Sequence, residues 1–354
     1  MRVLLVTPAA LPSVTGNAVT AERWRRSLVS SGQDVRVLAL DGLQAPALVQ
    51  EIRAFSPDVL HAHHAYRAGL MLLHPEARSA WDGVPLVVSF SGTDLNSDVT
   101  VRERREIVAR IAQRAPVIVV QEDDLASRLV NLTAGLTDRI VRVPKSFLWL
   151  GTDPFDLRAA AGCAPGNCLF FLPAGVRPVK GNLECLLALE RVRALRPRVR
   201  AVFAGPILDR EYAAGFERET ERLYDFARWI PPIPPQAMRS AYEGADVVLN
   251  ASFSEGFSNV LLEAAAAGRP LLASDIPSNR RTLVGAAGDA PSGCLFDRRD
   301  PDDFVRQALW LIDDETRRQN LGNSGRERAG RGPRPEDEAT ALLGAYRRAL
   351  GEPS

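Results

Sequence analysis

The chain opens on a short apolar run at 3–7, followed by a polar loop and then an amphipathic stretch at 18–31 that Gly32 can end. Four more apolar runs lie at 35–40, 59–62, 86–90 and 117–120, separated by helical patterns near 46–55, 66–74, 101–114 and 123–131. Strands alternating with helices predict right-handed βαβ units and a parallel, doubly wound sheet. The alternation stops over 148–167, where Gly, Pro, Asp and small residues show no period and an interdomain connection is expected. It resumes with strands at 169–173, 199–204, 228–230, 247–250 and 270–273. Helices are expected at 182–195, 211–224, 235–243 and from about 258. Arg-Gly-Pro-Arg at 331–334 interrupts the tail before a last helix over 335–350. The pattern therefore predicts an α/β protein of two Rossmann-like domains, their parallel sheets facing a cleft. The boundaries expected are 1–150 for the first domain and 151–330 for the second. The segment 331–354 is a C-terminal helix free to pack back on the first domain.

Totals narrow the partners more than the fold. A length of 354 residues suits two domains, and 44 basic against 43 acidic residues give a formal charge of +1. No field of one sign is available to gather nucleic acid or coat a membrane, so any anion site must be local. The four cysteines, Cys163, Cys168, Cys185 and Cys294, form no CxxC pair and have no histidines at zinc spacing, which suits free thiols in a reducing cytoplasm. The apolar run at the amino terminus is too short for a signal sequence, and none elsewhere nears the roughly 18 residues of a membrane span. The expected location is cytoplasmic, with no transmembrane segment. Only two of the basic residues are lysines, Lys145 and Lys180.

Open α/β sheets bind ligands beyond the carboxyl ends of their strands, so the loops after strands hold the candidate chemistry. The strongest signal follows the strand at 247–250: Ser254-Glu255-Gly256-Phe257-Ser258-Asn259 and then Glu263, two carboxylates eight residues apart across the start of a helix. Ser258 can cap that helix, its mouth is an anion site, and Gly256 permits close backbone approach. Two acceptors beside an anion pocket suit a nucleotide sugar. The plain alternative is a solvated Glu255 and a Glu263 paired with an arginine. After the strand at 169–173, Arg177 and Lys180 stand beside a glycine turn and can neutralise a diphosphate leaving group. In the first half, Thr15-Gly16-Asn17 and Ser91-Gly92-Thr93-Asp94 follow strands, each readable also as a helix-capping loop. His61, His63 and His64 end another strand, where alternation turns the first two to one side. They read as packing, with His63 or His64 a candidate cleft contact. No Asp-x-Asp is convincing as a metal site, so no metal is expected. The run Asp300-Pro301-Asp302-Asp303 reads as a helix start.

The stretch 252–275 resembles the E-x7-E signature of family 4 retaining glycosyltransferases, which have the GT-B fold. The resemblance implies that Glu255 contacts the donor sugar, that Glu263 holds the ribose hydroxyls, and that Arg177 and Lys180 hold the diphosphate. These two cations are three apart, whereas many members space them at five. Phe257, Ser258 and Asn259 join the donor site, with Gly16 and Asn17 near donor phosphate or acceptor. Many members carry a histidine near Ser91, absent here. The Thr-Gly-Asn and Gly-Thr-Asp pairings resemble a branch including glycosyltransferase-one-domain-containing proteins and selenosugar synthases. That resemblance implies that Asp94 holds sugar hydroxyls or orients an acceptor; Gly92, Thr93 and His63 are expected among the donor-binding residues. The expected partners are a nucleotide-sugar donor, UDP-sugar by family frequency, and a small-molecule or glycan acceptor. No cofactor and no nucleic acid are expected, and the oligomeric state stays open. Selenosugar-type transfer to an inorganic nucleophile, a nucleotide-sugar 2-epimerase and a non-catalytic nucleotide-sugar binder remain alternatives. No GxGxxG follows the first strand, which argues against a dinucleotide oxidoreductase.

Overall fold

The computed structural model describes residues 1–133, 135–285 and 289–352. The chain divides into two compact units, Met1–Leu148 with Pro333–Ser354 and Trp149–Gly332. The first unit carries six parallel strands: β1 (Arg2–Thr7), β2 (Asp34–Ala39), β3 (Val59–His63), β4 (Leu86–Ser89), β5 (Val117–Val120) and β6 (Ile140–Arg142). Their order across the sheet is β2-β1-β3-β4-β5-β6. Because successive side chains on a strand point to opposite faces, each strand feeds two cores. Leu4, Val6, Leu60 and Val88 pack with Leu48, Ile52, Val108 and Ile111 of helices Ala45–Phe55 and Arg102–Arg114. Val3, Leu5, Val59 and Val87 pack instead with Trp24 and Leu28 of helix Gly16–Ser30 and with Leu342 and Tyr346 of helix Pro335–Leu350.

That last helix carries a feature hidden in the sequence. Glu338 has no exposed surface. Its Oε2 accepts from Arg23 Nε at 2.9 Å and its Oε1 from Arg23 Nη2 at 3.1 Å. Oε1 also takes Trp24 Nε1 at 2.7 Å and Gln121 Nε2 at 2.9 Å, while Oε2 takes the Ser146 N–H at 3.3 Å and the Ser146 hydroxyl. Burial pushes this carboxyl up, but Arg23 and the other donors outweigh burial and hold it below the usual range.

The second unit repeats the plan with β7 (Cys168–Pro173), β8 (Val199–Ala204), β9 (Ala227–Ile230), β10 (Val247–Asn250), β11 (Leu271–Ser274) and β12 (Gly293–Phe296). The order is β12-β11-β10-β7-β8-β9, all parallel. Phe170, Leu172, Ala201 and Leu249 belong to one face, Leu169, Phe171, Val202 and Val248 to the other.

Several elements depart from the pattern-based expectation. The first helix begins at Gly16 rather than at 18, so Gly16 and Asn17 are its opening turn, capped by Thr15 Oγ1 accepting from the Ala18 N–H at 3.4 Å. A short helix, Leu157–Ala160, sits in the stretch expected to be irregular. The edge strands β6 and β12 and the helix Glu315–Arg331 were not anticipated. β6 has three residues, one of them an exposed arginine, and β12 has four and starts on glycine, too short to show a periodic signal. Among the described residues no helix is long and apolar enough to cross a membrane.

Candidate active site

In the second unit, adjacency of β7 and β10 brings two loops together that are 75 residues apart. After β7 the backbone makes a 3-10 turn, Pro178–Lys180, and closes on Gly181 at φ +63. A Cβ there would lie 2.6 Å from the Ala251 carbonyl oxygen, so glycine is required by both backbone angle and space. The Phe253 N–H donates to the Val179 carbonyl at 2.8 Å, which ties the turn to the loop after β10. Buried Asn182 braces the same turn: its Oδ1 accepts from the Arg177 N–H and its Nδ2 donates to the Ala174 carbonyl, both at 3.4 Å.

The result is a contact between Lys180 Nζ and Glu255 Oε1 at 2.5 Å. Ser252 Oγ donates to the same oxygen at 2.6 Å. Burial pushes the Glu255 carboxyl up, but the Lys180 ammonium, the Ser252 hydroxyl and the Arg177 charge together hold it below the usual carboxylate range. Arg177 is half-buried, which lowers its guanidinium pKa against the pull of Glu255, and its Nε has no hydrogen-bond partner among the described residues. A half-buried cation with an unmet donor beside a second cation has the chemistry to take an anion.

The helix after β10, Asn259–Ala266, starts behind buried Gly256 and half-buried Phe257. Ser258 occupies the capping position without making the capping bond; its Oγ accepts from Asn250 Nδ2 at 3.0 Å instead. The expected cap is therefore replaced by a brace to β10, and the helix's first N–H groups receive no side-chain cap. Tyr242, fully buried, donates its hydroxyl to Glu263 Oε2 at 2.7 Å, a partner the sequence did not suggest. Asn250, Ser252, Ser274 and Asn279, unremarked in the sequence, form the buried polar floor. Ser274 Oγ donates to the Ser252 carbonyl at 2.6 Å, and Asn279 Nδ2 to the Ser274 carbonyl at 3.0 Å.

In the first unit, β3 and β4 deliver the second set. His63 Nδ1 lies 2.9 Å from Ser89 Oγ, across a register in which the two residues are paired. Burial, with the neighbouring histidines, holds His63 neutral, and its buried Nε2 has no partner among the described residues. His61 stacks on Trp24 with centroids 5.1 Å apart and meets the Tyr346 hydroxyl at 2.8 Å, which makes it a packing residue, and burial lowers it to about 3.

Asp94 departs from both roles foreseen for it. Gly92, at φ +95, holds the capping position and Thr93 begins the helix Thr93–Asn96, so Asp94 is not the cap. It has no exposed surface and so cannot itself meet a sugar hydroxyl. Its Oδ1 lies 2.6 Å from His64 Nδ1, and its Oδ2 accepts from the Ser91 N–H at 2.8 Å. The Arg67 N–H also points at His64 Nδ1 from 3.4 Å, but one nitrogen cannot donate and accept, and the shorter contact makes it the donor to Asp94. Asp98 completes the cluster at 3.8 Å from His64 Nε2 and receives Arg104 Nη1 at 3.1 Å. Burial alone would lower His64, but Asp94 and Asp98 raise it, and the His64 charge holds Asp94 low. His64, Asp94 and Asp98 each offer an atom within 4.8 Å of the others, spacing a cation could use. Arg104 already supplies positive charge there, and the two carboxylates favour a proton on His64. The sequence places no carboxylate near the histidines, and only the fold brings these two.

Two Rossmann-like units with parallel six-stranded sheets and polar loops at the strand ends define a protein of the GT-B glycosyltransferase fold. Residues 160–328 match the model of the family Glycosyl transferases group 1. It is 25% identical over 335 residues to glycosyltransferase 1 domain-containing protein 1 of Xenopus tropicalis, covering 92% of each chain. It is 27% identical over 334 residues to the D-inositol 3-phosphate glycosyltransferase of Segniliparus rotundus, covering 88% of this chain and 73% of that one. Among solved structures, HepE of Anabaena in complex with UDP and glucose superposes with a TM-score of 0.77 at 16% identity, over 97% of this chain and 98% of that one. Sucrose-phosphate synthase from Thermosynechococcus elongatus superposes with a TM-score of 0.78 at 16% identity, over 99% of both.

Proposed function

We propose that this chain is a retaining, metal-independent glycosyltransferase that moves a hexose from a UDP-sugar to a small-molecule or glycan acceptor. The observation that carries the reading is the Lys180–Glu255 contact beside Arg177, whose Nε has no hydrogen-bond partner among the described residues, at the adjoining carboxyl ends of β7 and β10. A diphosphate needs cations, and a sugar needs a fixed acceptor for its hydroxyls. Here one lysine links the two. HepE, similar in fold, has been solved with UDP-glucose.

In this reading Arg177, Lys180 and the uncapped N–H groups near Ser258 take up the charge that develops on the leaving diphosphate. Glu255 fixes the sugar hydroxyls, and Glu263 takes the ribose. The C1–O bond to the diphosphate breaks as the acceptor oxygen bonds to C1 on the same face. The departing phosphate oxygen accepts the acceptor's proton, so no enzymic nucleophile is needed. In the first unit, His63 and the His64–Asp94 pair are the groups read as meeting the acceptor, Asp94 acting through His64.

The test is a pair of substitutions read by calorimetric binding. Glu263→Gln weakens UDP and UDP-glucose together. Glu255→Gln spares UDP and removes the additional affinity for UDP-glucose. An identical or reversed pattern refutes the assignment.

A further inference from the structure

Each of the two glutamates takes a hydroxyl from a buried neighbour outside the pair itself. Ser252 is 2% exposed, and its Oγ donates to Glu255 Oε1, the oxygen that also meets Lys180. Both contacts fall on one oxygen, which leaves Oε2 without a partner among the described residues. The Ser252 main chain is fixed independently. Its N–H donates to Asn250 Oδ1 at 3.2 Å and its carbonyl accepts from Ser274 Oγ at 2.6 Å, so removing the hydroxyl leaves the backbone in place.

Tyr242 does the corresponding thing for Glu263. Its ring is packed edge-on to Phe171, centroids 5.5 Å apart, and beside Trp149 at 6.1 Å, so the hydroxyl has a fixed position 2.7 Å from Oε2. Burial and the charge of Glu263 raise the phenol well above its ordinary range, so it remains a donor at any working pH.

We infer that Ser252 and Tyr242 are positioning residues that give the two glutamates separate work, Ser252 aiming Glu255 at the donor sugar and Tyr242 aiming Glu263 at the nucleoside. This rests on the roles proposed above for the glutamates. A hydroxyl bonded to a carboxylate oxygen favours one setting of that carboxylate, and a ligand that needs the setting loses affinity when the hydroxyl is removed.

The experiment measures affinities of the full chain for UDP and UDP-glucose in Ser252→Ala, Tyr242→Phe, Glu255→Gln, Glu263→Gln and the two matched double variants. Tyr242→Phe is expected to weaken both ligands about tenfold, the size of one hydrogen bond to a charged group. Ser252→Ala is expected to leave UDP within about twofold while the preference for UDP-glucose falls about tenfold. Each double variant matches its glutamate single variant, because the hydroxyl acts only through that carboxylate. The ratio of the two affinities does not depend on the folded fraction, so partial unfolding cannot imitate the Ser252→Ala result; for Tyr242→Phe, partial unfolding would instead appear as additivity in the double variant. If the glutamate variants separate the ligands and the hydroxyl variants do not, or if the doubles are additive, the inference is overturned and the proposed function stands. If the glutamate variants fail to separate the ligands, the proposed function falls and takes the inference with it.

Discussion

Replacing Lys180 by methionine removes the ammonium but keeps most of the stem, and the structure predicts two separable consequences. Lys180 meets Glu255 at 2.5 Å, with the two side chains only 20% and 12% exposed, so their charges are poorly screened. The first consequence is on the diphosphate. A hydrogen bond to a charged group contributes about 1.5–3 kcal/mol, so the Kd for UDP should rise roughly 10- to 150-fold at pH 7.5. The second is on Glu255. In the unaltered protein its folded pKa is depressed, so its charge persists as pH falls through the ordinary carboxylate range. Without Lys180 the burial that pushes the carboxyl up loses its main opponent, and Glu255 takes a proton at a higher pH. The preference for UDP-glucose over UDP should therefore decline on acidification from pH 7.5 to 5.5 in the variant and hold in the unaltered protein. Titration calorimetry with both ligands at both pH values, beside a circular-dichroism melt, measures this. A Kd for UDP within twofold of the unaltered value, in a variant that melts normally, refutes the role given to Lys180.

Three other outcomes follow from the same geometry. Excess EDTA should leave transfer within about twofold, since protein cations and N–H groups take the diphosphate charge; activity lost to EDTA and restored by magnesium or manganese would refute the mechanism. Asp94→Asn should cost turnover more than Ser91→Ala, about five- to thirtyfold, because the amide no longer holds His64 as a cation. The His64 pKa is raised, so its contribution to stability is full below the ordinary histidine range and lost as pH rises through the raised value. Melting temperature against pH should show that loss in the unaltered protein and not in Asp94→Asn, and matching curves would return the cluster to packing. Glu338→Gln should destabilise the first unit by about 3–5 kcal/mol, since Arg23 is left buried without its counter-charge. The Glu338 pKa is depressed, so that stabilisation is present above the ordinary carboxylate range and lost as pH falls through the lowered value. Urea unfolding at pH 7 reads it, and a loss below about 1 kcal/mol contradicts it.

Local pattern determined what local forces determine. Continuous apolar runs specify strands covered on both faces, and the runs at 199–204 and 247–250 have the bounds of β8 and β10, as 335–350 has those of the last helix. The glutamates of 255 and 263 and the cations of 177 and 180 were visible because glycine, charge and spacing recur within a few residues of strand ends. Partnership was not visible. Parallel strands pair through crossovers, so β10 lies beside β7 although two strands intervene, and no periodicity near Glu255 announces Lys180. In the same way β3 beside β4 turns His64 toward Asp94, which changes a candidate sugar contact into a buried partner of an imidazole. Glu338 is the sharpest case. It stands in an acidic first turn with Glu336 and Asp337, where carboxylates ordinarily face water and the helix dipole. One signal was present: 338, 342 and 346 recur at helical spacing, and Leu342 and Tyr346 are core. Burying that stripe buries the glutamate with it, and whether an arginine waits there depends on a helix more than three hundred residues earlier.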